Sequence, residues 1–121
     1  MSESFLQKKS FAFALKIVNT YKEIIQKNNE YVLGKQLLKS GTSVGAMIRE
    51  SEFAQSKADF ISKLSIGLKE ANETEYWILL LKEAGYINDT QTDELIAKNK
   101  ELISMLVASI KTAKNALNRT Q

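Results

Sequence analysis

The stretch Ser56–Gly85, SKADFISKLSIGLKEANETEYWILLLKEAG, decides the fold. Apolar or small residues recur at Phe60, Leu64, Gly67, Leu68, Ala71, Ile78 and Leu81, the three-and-four spacing of one helix face, with no proline or turn signal between them. The segment reads as one long helix. At about 1.5 Å per residue it spans roughly 43 Å, which a chain of this size accommodates only if rods of similar length lie beside it.

Three such rods flank it. Ser4-Phe5-Leu6-Gln7 has the form of a capping box, with Ser10 as an alternative start, and opens a helix over about residues 4–27. Two apolar stripes run along it, about 110° apart at 100° per residue. Phe11, Ala14, Leu15, Val18, Tyr21 and Ile25 form the first, and Leu6, Phe13, Ile17 and Ile24 the second. A lone bundle needs only the first, so Phe13 and Ile17 are expected to meet either a deep core or another copy of the chain. Asn28-Asn29-Glu30 is a polar break of the length that joins antiparallel helices.

A second helix follows over about residues 31–53, because the stripe Leu33, Leu37, Ser40/Gly41, Val44, Met47/Ile48 and Ser51 keeps helical register straight through Gly41 and Gly45. Each interior glycine costs about 1 kcal/mol against alanine, and close approach of a neighbouring helix to Ser40, Gly41, Ser43, Gly45 and Ala46 is the expected offset. GTSVG is not a phosphate loop, since no strand precedes it and no Gly-Lys-Ser/Thr closes it.

The long central helix is expected over about 57–85, with Ser56 as its N-cap and Gly85 as its C′ residue. A last helix is expected over about 91–118, capped by Thr90, with the near-heptad stripe Leu95, Asn99, Leu102, Leu106, Ile110, Ala113 and Leu117. These elements predict an all-α protein, a single-domain antiparallel up-down-up-down four-helix bundle.

Composition closes off several functions. The 121 residues include no cysteine, histidine or proline, which removes the usual zinc sites, thiol nucleophiles, disulfides and imidazole acid–base chemistry. No apolar run is long enough to span a bilayer, and MSESFLQKKS lacks the layout of a signal peptide, so the expected location is the cytoplasm and no membrane partner is expected. Glu70, Glu73 and Glu75 form the one acidic cluster beside apolar positions; without a cleft or substrate-binding set they read as partners of Lys39 and Arg49 across a helix interface. No catalytic residue, metal ligand or cofactor is expected, and the chain does not read as an enzyme.

Two surface features remain. Ile66, Trp77 and Leu80 lie nearly opposite the main stripe of the long helix with Glu73 among them, and together with Phe13 and Ile17 they are the candidate interface of a homo-oligomer. The net charge of +3 is unevenly spread: residues 1–27 carry five lysines against two glutamates, and residues 98–121 five basic groups against one. In the expected topology the first and last helices are neighbours. Lys9, Lys16, Lys27, Lys100, Lys111 and Lys114 therefore form a candidate basic strip for RNA or another nucleic acid, gripping the backbone weakly because no aromatic residue interleaves.

The segments KSFAFALKIV (9–18), KQLLKSGTSVGAMIRES (35–51) and AQSKADFISKLSIGLKEANETEYWILLLKEAGYI (54–87) closely resemble the bacterial four-helix-bundle family named for proteins encoded in intervening sequences of 23S ribosomal RNA genes. The resemblance implies the same bundle, a homo-oligomer that is typically a pentamer, and no enzymatic activity. A related branch assists the reverse transcriptase of diversity-generating retroelements, so it also implies an alternative role as an interaction module for a neighbour-encoded protein. The sequence departs from the family pattern at Met47, where asparagine is usual, and at Gly67, where alanine is usual.

Overall fold

The computed structural model describes residues 4–119, in which four helices follow one another: α1 (Phe5–Asn28), α2 (Val32–Ser51), α3 (Lys57–Glu83) and α4 (Asp89–Arg119). Each packs on its neighbours in sequence, and α1 closes the ring against α4 in the leanest of the four contacts. The result is the antiparallel four-helix bundle read from the sequence, with one core running its length.

Local chemistry sets the helix ends. Ser4 accepts from the Gln7 amide while the Gln7 side chain accepts from the Ser4 amide, so the capping box forms and Ser10 lies inside α1, buried. Asn29 adopts the left-handed conformation at φ 54° and ends α1. Ser56 caps α3 by accepting from the Asp59 amide at 3.0 Å. At the far end, Gly85 sits at φ 86°; its amide donates to the Lys82 carbonyl and the Tyr86 amide to the Leu81 carbonyl, the paired bonds of a Schellman motif. Ile87 then folds back into the core.

Two caps differ from the sequence reading. Thr90 does not cap α4: Asn88 does, accepting from the Gln91 amide at 2.8 Å while Gln91 Oε1 accepts from the Asn88 amide at 3.0 Å, so the helix starts earlier than expected. Glu30 in the first loop accepts from the Leu33 amide at 2.7 Å, a carboxylate capping α2 from outside, where it also suits the helix dipole.

The larger difference lies in α1. Its buried stripe is Phe13, Ile17, Thr20 and Ile24, whereas Phe11 and Leu15 of the other stripe remain 72% and 55% exposed. Hydrophobicity alone could not rank two equally greasy faces. The surface of α2 does so, because Gly41 leaves bare backbone against Ile17: a Cβ built there would lie 2.7 Å from Ile17 Cγ1. Gly45 likewise faces the Ser10 carbonyl, and Gly34 the ring of Tyr21. Gly41 is offset by close approach, as expected, and the helix that approaches is α1, whereas at Gly45 a Cβ would find only ordinary contact.

The core contains polar residues that satisfy themselves. Buried Ser10, Thr20, Ser40, Ser51, Thr74 and Thr92 each donate their hydroxyl to a carbonyl three or four residues earlier in their own helix. Asn99 is the exception. Fully buried on α4, it donates from Nδ2 across to the Ala71 carbonyl of α3 at 2.8 Å, and its Oδ1 has no partner.

Met47 and Gly67, the two departures from the family pattern, face each other: a Cβ on Gly67 would lie 3.4 Å from Met47 Cβ.

Candidate functional site

Two grooves flank α1. On the α2 side, the bare backbone around Gly45 and the short side chains Ser10, Ala14, Thr42 and Ala46 leave an apolar cavity of about 260 Å³, walled by Phe11 and by Arg49 and Gln7. On the α4 side the contact is lean and ionic. Lys9 Nζ lies 3.0 Å from Glu101 Oε1, Lys16 pairs with Glu94, and Gln91 Nε2 donates to Glu23 at 2.6 Å. Between these bonds lie a cavity of about 210 Å³ with Phe13 and Leu102 in its lining and a more polar one of about 190 Å³ around Thr20 and Leu95.

The expected basic strip does not form as one surface. Lys9 and Lys16 point into the α1–α4 seam, where carboxylates of α4 meet them. Lys111 and Lys114 line a different groove with Leu68 of α3. At 100° per residue Lys114 is turned about 140° around α4 from Glu101. Lys27 stands in the last turn of α1, roughly 27 Å along the helix from Lys9. Lys100 is exposed. Neighbouring helices do not make neighbouring lysines when the charges occupy different flanks of the same helix. Lys8 and Lys98, which the sequence reading left out, do line the α1–α4 cavity beside Lys9 and Lys16.

The candidate interface residues divide too. Phe13 and Ile17 are 1% and 0% exposed within their own chain, so they offer nothing to a second copy; the glycine surface of α2 has taken them into the core. Ile66 is 41% exposed and Glu73 exposed, while Trp77 and Leu80 are half-buried. Trp77 packs against the core with its ring edge-on to Tyr76, centroids 5.0 Å apart, and its buried Nε1 has no hydrogen-bond acceptor. The exposed apolar side chains missed on α1 are Phe5, Phe11 and Leu15. The signal for Phe11 and Leu15 was present as the first stripe, assigned to the core side; Phe5 lies in neither stripe.

Within the acidic cluster Glu70 and Glu73 lie side by side. Partial burial, and then the Glu73 carboxylate beside it, push the Glu70 pKa up, while Lys39 and Lys69 partly offset this. Among the described residues neither Lys39 nor Arg49 comes within 4 Å of Glu70, Glu73 or Glu75, so of the expected partners only Lys39 acts on the cluster, through space rather than by a direct ion pair. No group of three acidic side chains among the described residues is arranged to hold a metal ion, and no described helix is long and apolar enough to cross a membrane.

The model of the 23S rRNA-intervening sequence protein family matches residues 3–108. The chain belongs to that family. A crystal structure of a protein with unknown function from the S23 ribosomal protein family of Bacteroides thetaiotaomicron is 50% identical, covering 88% of this chain and 98% of that one with a TM-score of 0.86. Among curated proteins none matches. The family match ends near where α4 passes the start of α1, so the last turns of α4 extend beyond it.

Proposed function

We propose that this chain is a non-enzymatic assembly module of the cytoplasm, a bundle that docks further copies of itself, in the pentamer its family resemblance implies, through apolar surface outside its core. The observation that carries the reading is the outer face of α1, where Phe11 and Leu15 stand exposed beside an apolar cavity of about 260 Å³. Ile66 and half-buried Trp77 give α3 a second, smaller apolar flank. Burying large aromatic side chains supplies most of the energy of such contacts, about 25 cal/mol per Å² of apolar surface removed from water.

Light scattering tests it. The expected result is a mass several times 13.6 kDa that falls to the single-chain value when Phe11 and Leu15 are replaced by serine. A wild-type chain scattering at 13.6 kDa at tens of micromolar overturns the reading.

A second reading has its own support. Lys100, Lys111 and Lys114 have no carboxylate within 4 Å among the described residues, which leaves them able to meet a nucleic-acid backbone. Fluorescence anisotropy with structured RNA across a salt series checks this: binding that weakens steeply with salt and is lost on reversing Lys111 and Lys114 supports it, and absence of binding at low salt removes it.

A further inference from the structure

Two rows of side chains on the outside of the bundle share one spacing and carry opposite charge. On α3, Ile66, Glu70, Glu73 and Trp77 follow one another at intervals of four, three and four residues; on α4, Val107, Lys111, Lys114 and Asn118 repeat those intervals. At 100° per residue each row keeps within about 60° of arc and runs roughly 16 Å along its helix. We infer that the two rows dock on each other between copies of the chain, the carboxylates of one copy meeting the ammonium groups of the next.

The α4 row is open to a partner. Val107 is 49% exposed, the other three side chains are exposed, and with Leu68 of α3 they line a groove of about 380 Å³. Neither Lys111 nor Lys114 has a carboxylate within 4 Å among the described residues. The α3 row has the opposite need. Ile66 and Glu73 are exposed, and Glu70 feels the Glu73 carboxylate more strongly than it feels Lys39 or Lys69, so the acidic pair stays short of positive charge.

Within one chain the rows cannot meet, because Leu68, at the groove, is turned about 180° around α3 from Trp77. A second copy supplies both halves. The inference rests on the self-assembly already proposed and adds to it a contact separate from Phe11 and Leu15. Ile66 and the uncovered part of Trp77 lose water against Val107 and Leu68, while the charges select this pairing over others; complementary charge adds specificity and speed of encounter more than affinity. A nucleic acid would use the lysines alone and leave the matching acidic row idle.

Charge exchange on the full chain tests it, with self-association followed by light scattering at low salt after nucleic acid is removed. Glu70→Lys with Glu73→Lys should raise the dissociation constant at least about 10-fold, and Lys111→Glu with Lys114→Glu should do the same, because like charges then face each other. Mixing the two variants should restore association, since each offers the row that the other lacks, and so should all four changes in one chain. Circular dichroism checks that the variants fold; if half-buried Glu70 does not tolerate lysine, Glu73→Lys alone takes its place. Association that survives either pair of reversals, or folded variants that do not recover on mixing, overturns the inference. Loss on replacing Phe11 and Leu15 by serine but not on charge reversal overturns it while leaving the α1 contact standing, and a wild-type chain at 13.6 kDa removes both. Reversed lysines that abolish RNA binding and leave the mass unchanged make nucleic acid the occupant and overturn it as well.

Discussion

The two seams of α1 are built on opposite principles. Against α2 the helix is pressed onto bare backbone, with Ile17 over Gly41 and Ser10 over Gly45. Against α4 it is held off by long charged side chains, Lys9 to Glu101 and Lys16 to Glu94, with cavities between them. Dispersion and burial act only at contact and demand one shape, whereas exposed ion pairs tolerate distance and contribute little each. The tight seam therefore fixes which face of α1 turns inward, and the loose seam holds what remains.

The sharpest way to break this contrast is to truncate the side chain at its centre. Ile17→Ala should cost about 3 kcal/mol in denaturant unfolding, while Leu15→Ala, two residues away, should stay within about 0.5 kcal/mol for the single chain. Equal effects would mean that the stripes were assigned to the wrong sides after all. Next, Gly41→Ala should lose roughly 2 kcal/mol, because its Cβ would meet a fully buried isoleucine that cannot yield. Gly45→Ala, whose Cβ finds ordinary contact at 3.4 Å, should instead gain up to about 1 kcal/mol from helix propensity. Opposite signs four residues apart would localise the tight contact. On the loose seam, Glu101→Gln should cost less than about 1 kcal/mol, and the cost should shrink further in high salt.

The smallest effects concern pH and have opposite signs. Glu94, whose hydrogen bond from Lys16 lowers its pKa below the usual 4.5, helps the fold above the ordinary carboxylate range. That help is lost as pH falls through the depressed value. Glu70, pushed above 4.5 by partial burial and Glu73, does the reverse: the folded chain holds its proton more tightly, so this contribution is present in acid and is lost as pH rises through the raised value. Carboxyl titrations by NMR should find Glu94 below and Glu70 above the usual position. Glu70→Gln should flatten the pH dependence just above 4.5, an effect kept small by solvent screening.

Much of this architecture was legible before any coordinates. Helix periodicity located all four elements, and of the stripe read on α3, Leu64, Gly67, Ala71, Ile78 and Leu81 are buried while Phe60 and Leu68 are half-buried. Ser56 and Gly85 fell where local rules place them, and Ser4 prevailed over its rival Ser10; Asn88, which the sequence reading did not offer as a cap, takes the place of Thr90 because Gln91 completes its reciprocal bond. What periodicity cannot supply is a choice between two equally apolar faces of one helix, since that depends on the relief of the helix opposite. Phe13 and Ile17 were misplaced for that reason. The lysines failed differently: knowing that α1 and α4 touch says nothing about how far each charge is turned around its helix. Glu94 and Glu101 lay on the flank facing α1, and Lys114 did not.

The amide of Asn99 also constrains how the molecule is put together. Enclosed by hydrocarbon, that amide keeps its acceptor only while α3 and α4 hold an offset that sets a bare carbonyl, here that of Ala71, opposite it; a slip to any intermediate offset would strand it. The hairpin of the last two helices thus carries its own alignment mark, independent of anything that α1 and α2 contribute.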